Sequence, residues 1–136
     1  MSNPTDLRYA ESHEWVRVEG NTATIGISEF AVKELTDLTY VELPAVGKVF
    51  QAKQVFGVVE SVKAASDLYA PVSGTVTKVN PTYSKLNKAS QVDLDFLTTD
   101  PFGQGWMIQV ELTAPAEVDQ LLDSAAYGLF CASESH

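Results

Sequence analysis

Lys63 is the residue best placed to do chemistry, because it lies between two short apolar runs and has small and acidic neighbours. The runs, at residues 58–62 and 68–69, are rich in valine, leucine and tyrosine, and Pro71 ends the second. Such runs around a small-residue centre predict a β-hairpin with Lys63 at or near its tip. An ammonium group at a hairpin tip cannot be packed and is accessible to another protein. The pattern therefore predicts a lysine presented for covalent modification, in a carrier rather than a catalyst.

Residues for independent catalysis are scarce in the rest of the sequence. Cys131 is the only cysteine, so it can form neither an intrachain disulfide nor a multi-cysteine metal site, and we expect it to pack. The two histidines, His13 and His136, are at opposite ends of the chain, which disfavours a zinc site or a histidine-based triad. No nucleophile–base pair, phosphate-binding loop or metal cluster is recognisable. The sequence thus favours a protein that is not itself an enzyme.

Size and charge restrict the class of protein further. The 136 residues suit one domain, 1–136, and include 18 acidic and 9 basic residues for a net charge of −9. This balance disfavours nucleic acid and anionic membranes as partners, since phosphate contacts need clustered Lys and Arg. The short apolar runs predict no transmembrane helix, and the N-terminus lacks secretory or transit features. We expect a monomer in the bacterial cytoplasm, or in the mitochondrial matrix if this is a processed eukaryotic form.

The elements that must position Lys63 are mostly short strands. Alternating polar and apolar residues predict two early strands at 14–19 and 22–27, joined by a turn at Gly20. Further strands are predicted at residues 38–43, 49–50, 55–62 and 106–112. Together with the hairpin, they predict a β-rich fold with minor α content, in which residues 47–79 form the core around the hairpin.

Helices are predicted near the first strands and at the C-terminus. Ser28 can cap a short helix at residues 29–35, with Phe30, Ala31 and Leu35 on one face. A C-terminal helical segment is predicted at residues 113–130. Its first helix has Pro115 in the first turn and an apolar stripe of Val118, Leu121 and Leu122, and a second short helix covers 124–130. The polar stretch 80–100 is predicted to be a surface loop with one helical turn.

With the residues around Lys63 in view, the chain resembles the H protein family of the glycine cleavage system. The resemblance runs from residue 7 to about residue 127, and its motifs occur in the order typical of that family. They are Ser-His-Glu-Trp-Val at 12–16, Ala-Thr-Ile-Gly-Ile-Ser at 23–28, Val-Glu-Leu-Pro-Ala-Val-Gly at 41–47, the hairpin segment at 56–74, and Asp-Pro-Phe-Gly-Gln-Gly-Trp at 100–106.

The resemblance implies a hybrid β-sandwich of the biotinyl and lipoyl carrier type, with lipoic acid in amide linkage to Lys63. The arm would accept the aminomethyl group of glycine from glycine decarboxylase and pass it to the aminomethyltransferase. Dihydrolipoamide dehydrogenase would then reoxidise the arm. The implied partners are these three enzymes and a lipoate ligase or lipoyl/octanoyl transferase. Tethering raises effective concentration, but here each partner would still meet the carrier by diffusion.

The resemblance also implies a cleft on the carrier that shelters the loaded, positively charged arm. Ser12, Glu14 and Asp67 match positions associated with holding it, and a carboxylate is a suitable partner for an amine. The alternative is that Glu14 points outward on its strand and that Ser12 and Asp67 make turn hydrogen bonds. Glu60 and Asp67 are expected to frame Lys63 for the lipoylating enzyme, although Glu60 could simply be an exposed acidic residue.

Two departures from the family pattern affect these expectations. Glu34 occupies the place where some members have a histidine that contacts the loaded arm, so either that contact differs or a second carboxylate replaces it. The stretch 80–100 is longer than usual, and Thr98 replaces an asparagine before the Asp-Pro pair. Both changes leave the hairpin untouched.

Other carriers remain possible from the residues alone. A related lipoyl carrier could serve lipoate relay or sulfur metabolism instead of glycine cleavage. A biotin carrier is disfavoured, because biotin domains generally have methionine beside the lysine and this chain has Val62 and Ala64. An unmodified interaction module that has kept the fold is the third alternative.

Overall fold

Two antiparallel β-sheets form the body of the protein. The structure is a computed structural model, and it describes residues 3–35, 37–83 and 94–134. The larger sheet has the strand order β1-β2-β3-β9-β8-β5 and the smaller sheet has the order β4-β6-β7. The strands are β1 Arg8–Tyr9, β2 Glu14–Glu19, β3 Thr22–Ile27, β4 Leu38–Glu42, β5 Val49–Phe50, β6 Val55–Ser61, β7 Ala65–Tyr69, β8 Gly74–Val79 and β9 Ile108–Leu112. The predicted β-rich fold is confirmed.

Strands β2 and β3 form where the alternation predicted them. They pair from Glu14 opposite Ile27 to Glu19 opposite Thr22. Gly20 adopts a positive φ of 61°, a conformation that glycine enters without steric cost, and this permits the tight turn between the strands.

The main core lies between the sheets. It is built from inward-facing aliphatic side chains of both sheets, among them Val16, Ile25, Val41, Val59, Leu68, Val76 and Val110. A second buried cluster contains Leu7, Tyr9, Trp15, Phe30, Tyr127 and Cys131. In it, the rings of Tyr9 and Tyr127 stack with centroids 4.4 Å apart. The second cluster therefore attaches the C-terminal helix to β1 and β2, and Cys131 packs there as predicted.

Helix α1 covers Glu29–Leu35, as predicted. The Ser28 hydroxyl caps it by accepting the backbone N–H of Ala31 at 3.2 Å. Its fully buried residues are Phe30 and Val32, whereas Ala31 and Leu35 are only half-buried. The predicted apolar face thus omitted Val32, because the helix packs against both buried clusters rather than one.

The helical turn predicted within 80–100 is confirmed by helix α2, Asp95–Thr99, but the prediction of a surface loop was wrong for parts of both described ends; residues 84–93 lie outside the described part of the chain. Asn80 and Tyr83 are buried, and Leu94 and Leu97 pack in the core around helix α2, Asp95–Thr99. The Asn80 side chain is satisfied because its amide donates to the carbonyls of residues 104 and 106. A polar composition therefore concealed a segment that closes one end of the core.

The C-terminal segment also differs from its prediction. The element starting at Pro115 is a 3-10 helix, Pro115–Gln120, with no buried residue. Leu121 and Leu122 follow it, and Leu122 pairs with Tyr9 through both backbone hydrogen bonds at 2.8 Å. Helix α3 covers Ser124–Glu134 and so extends beyond the predicted end at 130. No helix in the described ranges is long and apolar enough to span a membrane.

We expect Leu97→Ala to destabilise the protein by about 2–5 kcal/mol, because Leu97 is fully buried and the truncation leaves a cavity. Denaturant unfolding measures the change. Leu129→Ala is the matched control, since Leu129 is 76% exposed and its truncation should change stability by less than about 0.5 kcal/mol. Equal effects of the two substitutions would contradict the burial of the 94–99 segment.

Candidate functional site

Strands β6 and β7 form the predicted hairpin, and residues 62–64 make its tip. Ser61 closes the turn: its N–H donates to the Ala64 carbonyl at 2.8 Å, and its hydroxyl accepts the Ala64 N–H at 3.2 Å. Val62, Lys63 and Ala64 are all exposed, and Val62 is 76% exposed despite its apolar side chain. The tip is therefore a rigid turn that presents Lys63 to solvent beside an apolar neighbour.

The tip is also anchored to the segment around helix α1. The Lys63 ammonium donates to the backbone carbonyl of Glu34 at 2.9 Å. The Val62 N–H donates to the carbonyl of Asp37 at 3.1 Å, and the Thr39 hydroxyl donates to the carbonyl of Glu60 at 3.2 Å. The Glu34 carbonyl is in the last turn of α1, where a helix favours a cation. These contacts determine that the Lys63 side chain lies on the side of the hairpin that faces helix α1.

A cleft of about 370 Å³ opens beside this anchor. Helix α1, the residues just before and at the start of β2, and the hairpin strands form its walls, and Glu134 contributes from α3. Its ionisable lining residues are His13, Glu14, Glu34, Asp67 and Glu134. Within the described residues, no Lys or Arg lines it. Four carboxyl groups and one histidine make the cleft a site suited to a cation. We call it the acidic cleft.

Glu14 is the buried acid of this cleft, with only 1% of its surface exposed. Its carboxylate accepts a hydrogen bond from the Ser12 hydroxyl and another from the Tyr69 N–H at 3.0 Å. Burial raises the Glu14 pKa to about 7, although both hydrogen bonds oppose this by favouring the charged form. The alternative that Glu14 points outward is therefore wrong. The hydrogen bond that Glu14 accepts from the Tyr69 N–H also links β7 of the smaller sheet to β2 of the larger one.

The remaining predicted residues are placed by the hairpin register. Val58 lies opposite Asp67, Val59 opposite Ser66, and Glu60 opposite Ala65. Because successive residues of a strand alternate between faces, Glu60 and Asp67 share one face, and Ser66 shares the other with buried Val59. Asp67 nevertheless lines the acidic cleft together with Ser12 and Glu14, although it is exposed and lies on the face opposite Val59 and Ser66. In the described part of the structure, the cleft lining does not include Glu60.

Comparisons with known proteins agree with this geometry. The glycine cleavage H-protein family matches residues 7–134. The chain belongs to that family. A glycine cleavage system H protein from Nitratidesulfovibrio vulgaris is 48% identical over 136 residues, which are all of both chains. One from Symbiobacterium thermophilum is 49% identical over 131 residues, covering 96% of this chain and 97% of the relative.

A solved structure supports the same assignment. The crystal structure of a glycine cleavage system H protein from Mycobacterium marinum superposes with a TM-score of 0.78 at 34% sequence identity, covering 98% of this chain and 100% of that one. The predicted carrier-type β-sandwich is confirmed. The chain is a glycine cleavage H-family protein, the family of lipoyl carriers that serve the glycine cleavage system.

Within this H-family fold, sequence reasoning missed three residues of the acidic cleft. His13 was considered only as a metal ligand or a triad member, Ser66 was not considered, and Glu134 lay beyond the predicted end of the last helix. Leu68 is an apolar residue of strand β7, and side chains alternate between the faces of a strand. Ser66, two positions earlier, could therefore have been predicted to face the same side as Leu68. No pattern pointed to Glu134. Among residues 3–35, 37–83 and 94–134, no group of three side chains is arranged to hold a metal ion.

The two family departures have separate outcomes. Glu34 lines the acidic cleft, which places a carboxylate where some family members have the histidine, and its carbonyl also binds Lys63. Thr98 uses its hydroxyl locally, donating to the Leu94 carbonyl at 3.3 Å. Residues 84–93 of the long 80–100 stretch lie outside the described ranges.

Proposed function

We propose that Lys63 carries the lipoyl group of this carrier and that the acidic cleft shelters the charged end of the arm. The observation that supports this best is the contact of the Lys63 ammonium with the Glu34 carbonyl, 2.9 Å away, because Glu34 also lines the acidic cleft. An arm that starts at Lys63 therefore starts at the edge of a carboxylate-lined cavity. Lys63, the hairpin tip and the cleft form one continuous site.

The residues fit an amide-linked arm on Lys63. Amide formation removes the ammonium charge, but the amide retains one N–H, which can still donate to the Glu34 carbonyl. When attached, the lipoyl group supplies a redox-active disulfide that can carry a one-carbon amine group from glycine. The chain's own residues present it, orient its root and exclude water from its charged end. We propose no catalytic residue in the chain itself.

Glu14 and Ser12 are proposed to hold the cationic end of the arm. A cation beside the Glu14 carboxylate favours its charged form and so lowers its pKa below the value of about 7 in the unmodified protein. The Ser12 hydroxyl already donates to that carboxylate and would keep it oriented. Asp67 and Glu34 add negative charge at the rim, where solvent screens them more strongly.

Glu60 is proposed to act outside the cleft, with Asp67, in recognition of the hairpin by the lipoylating enzyme. The two residues share the hairpin face opposite Val59, so a partner approaching that face would meet both carboxylates. The two carboxylates lie at different distances from the hairpin tip, so a partner that contacts both would be oriented along the hairpin. Val62, exposed beside Lys63, offers the apolar contact of such a surface.

We propose the whole chain as a single carrier domain, with the hairpin core at 47–79 and the helical segment at 113–130 as its parts. Its proposed partners are glycine decarboxylase, aminomethyltransferase, dihydrolipoamide dehydrogenase and a lipoate ligase or transferase, met in the cytoplasm. Each must reach the same exposed tip in turn. The net charge of −9 would favour encounter with basic surfaces around their active-site entrances.

Intact mass with peptide mapping, after incubation with a lipoate ligase and lipoate, tests the proposal. We expect one lipoyl increment per chain, on the peptide that contains Lys63. A known lipoyl carrier in the same tube is the positive control. No increment on folded protein while that carrier is modified would contradict the proposal, as would an increment on a different lysine.

A further inference from the structure

We propose that His13 is a positioning residue, which joins helix α3 to helix α1 and so holds the α1 wall of the acidic cleft in place. This inference rests on the proposed function only for the statement that the cleft shelters the loaded arm. The contacts that join the two helices are present in the unmodified protein. The link consists of four side chains, none of which was proposed above to hold the arm: His13, Ser28, Tyr127 and Glu134.

The backbone fixes His13 between the two residues of the cleft that bind each other, Ser12 and Glu14. His13 has a φ of 80°, in the left-handed region that non-glycine residues seldom adopt. Its N–H donates to the Ala10 carbonyl at 2.9 Å, and its own carbonyl accepts the Ser28 N–H at 2.9 Å. The unusual conformation is therefore held on both sides by the surrounding backbone, as expected where strain serves a function.

The ring of His13 contacts both helices. Its Nδ1 lies 2.7 Å from the Tyr127 hydroxyl and its Nε2 lies 3.0 Å from a Glu134 carboxylate oxygen, both on α3. The ring stacks on Phe30 of α1, with centroids 4.8 Å apart. The Tyr127 hydroxyl is also 2.5 Å from the Ser28 hydroxyl, which caps α1. A single imidazole therefore contacts α3 directly and α1 both by stacking and through Tyr127.

The hydrogen bonds of this chain can all run in one direction. The Ala31 N–H donates to Ser28, the Ser28 hydroxyl can donate to Tyr127, the Tyr127 hydroxyl to Nδ1, and the Nε2–H to Glu134. Every group then has a partner, which matters because Ser28 and Tyr127 are fully buried. This direction places a ring proton on Nε2, opposite the Glu134 carboxylate, and leaves Nδ1 as the acceptor. A ring with its proton on Nδ1 alone would face that carboxylate with the lone pair of Nε2.

Helix α1 is consequently attached at both ends. Its start is bound to the His13 chain through Ser28, and its last turn accepts the Lys63 ammonium at Glu34. Between these points, Phe30 and Ala31 line the acidic cleft together with His13. Loss of the contact at the start should let α1 move away from the hairpin and admit water to the cleft. His13 thus controls how well the cleft excludes water without itself belonging to the arm's attachment point.

Two measurements on the unmodified protein test the link. The ¹⁵N resonances of the His13 ring should report the Nε2–H form in the wild type, and Tyr127→Phe should remove that preference. Amide hydrogen exchange of the peptide covering α1 should become at least about fivefold faster in Tyr127→Phe, because about fivefold is the factor expected for loss of one buried hydrogen bond and this substitution removes two. Exchange in β8 and β9 should not change. A dominant Nδ1–H form, or unchanged exchange in α1, would overturn the proposal.

The lipoylated protein adds the functional measurement, which is the hydrolysis rate of the amine-loaded arm. We expect Tyr127→Phe and His13→Ala to raise it at least about fivefold. His13→Asn should stay within about twofold of the wild type, because asparagine tolerates a positive φ and can place an acceptor near Nδ1. Leu129→Ala, on the exposed side of α3, is the control. If His13→Asn fails as badly as His13→Ala, the hydrogen-bond role is wrong. A wild type that accepts no lipoate would instead refute the proposed function, while the ring spectrum and the exchange data still decide the His13 link.

Discussion

Lys63→Arg is expected to abolish lipoylation and to reduce glycine decarboxylation to the background of the enzymes without a carrier. Arginine keeps the positive charge and nearly the length of lysine, so it can still donate to the Glu34 carbonyl and leave the tip intact. Its guanidinium stays protonated at every accessible pH and has no free amine electron pair for amide formation. Intact mass after incubation with ligase and lipoate measures the first effect. Release of carbon dioxide from glycine in the reconstituted system measures the second.

Lys53→Arg is the matched control for this substitution. Lys53 is also an exposed turn lysine, but it lies before β6, outside the hairpin tip. The Lys53→Arg protein should be lipoylated on Lys63 and be as active as the wild type. Thermal unfolding should give nearly equal Tm values for all three proteins. Decarboxylation above background by folded Lys63→Arg protein would contradict the assignment of Lys63.

The hairpin was predictable because its signals are local. Apolar runs of strand length surround a small-residue centre, and in the structure β6 ends two positions before the lysine and β7 begins two positions after it. The pair β2 and β3 was predictable for the same reason, since alternation and a turn glycine are both readable within a short window. The position of Lys63 at the tip could therefore be predicted from the sequence alone.

The cleft was less predictable, because its partners come from distant parts of the chain. Alternation along strand β2 is compatible with an outward-facing Glu14. In the structure Glu14 is buried, and its carboxylate accepts the N–H of Tyr69, 55 positions away. The contact of His13 with Tyr127 spans 114 positions. Neither pairing leaves a pattern in the sequence near either residue. Here only the family resemblance pointed to Ser12 and Glu14, and it did not point to His13.

Composition misled the prediction for the 80–100 stretch for a related reason. Asparagine, proline and serine in this stretch are typical of turns, but Asn80 is buried and donates to two backbone carbonyls. Whether a polar side chain is exposed or satisfied internally depends on the backbone it meets. That backbone belongs to residues 104 and 106, which the local sequence does not specify.

Glu14→Gln is expected to accelerate hydrolysis of the amine-loaded arm by about ten- to a hundredfold, while leaving lipoylation unchanged. Glutamine removes the negative charge that faces the cation, and loss of such a charge-assisted contact costs about 1.5–3 kcal/mol. It keeps an oxygen that can accept the Tyr69 N–H, so the link between the two sheets is retained. Glu14→Ala removes both, and should additionally lower stability. The comparison of Gln with Ala therefore separates the charge from the structural link.

The pH dependence of the same rate gives the second criterion. Glu14 has a pKa of about 7 in the unmodified protein, and the cation should lower it when the arm is bound. Below that lowered pKa the carboxylate takes up a proton and loses its attraction, so the protection of the wild type should decrease as the pH falls. The Glu14→Gln side chain does not titrate, so the ratio of its hydrolysis rate to that of an unprotected arm should not change across the same range. A hydrolysis rate in Glu14→Gln equal to that of the wild type at pH 8 would remove Glu14 from the site and leave the cleft's charge to Glu34, Asp67 and Glu134.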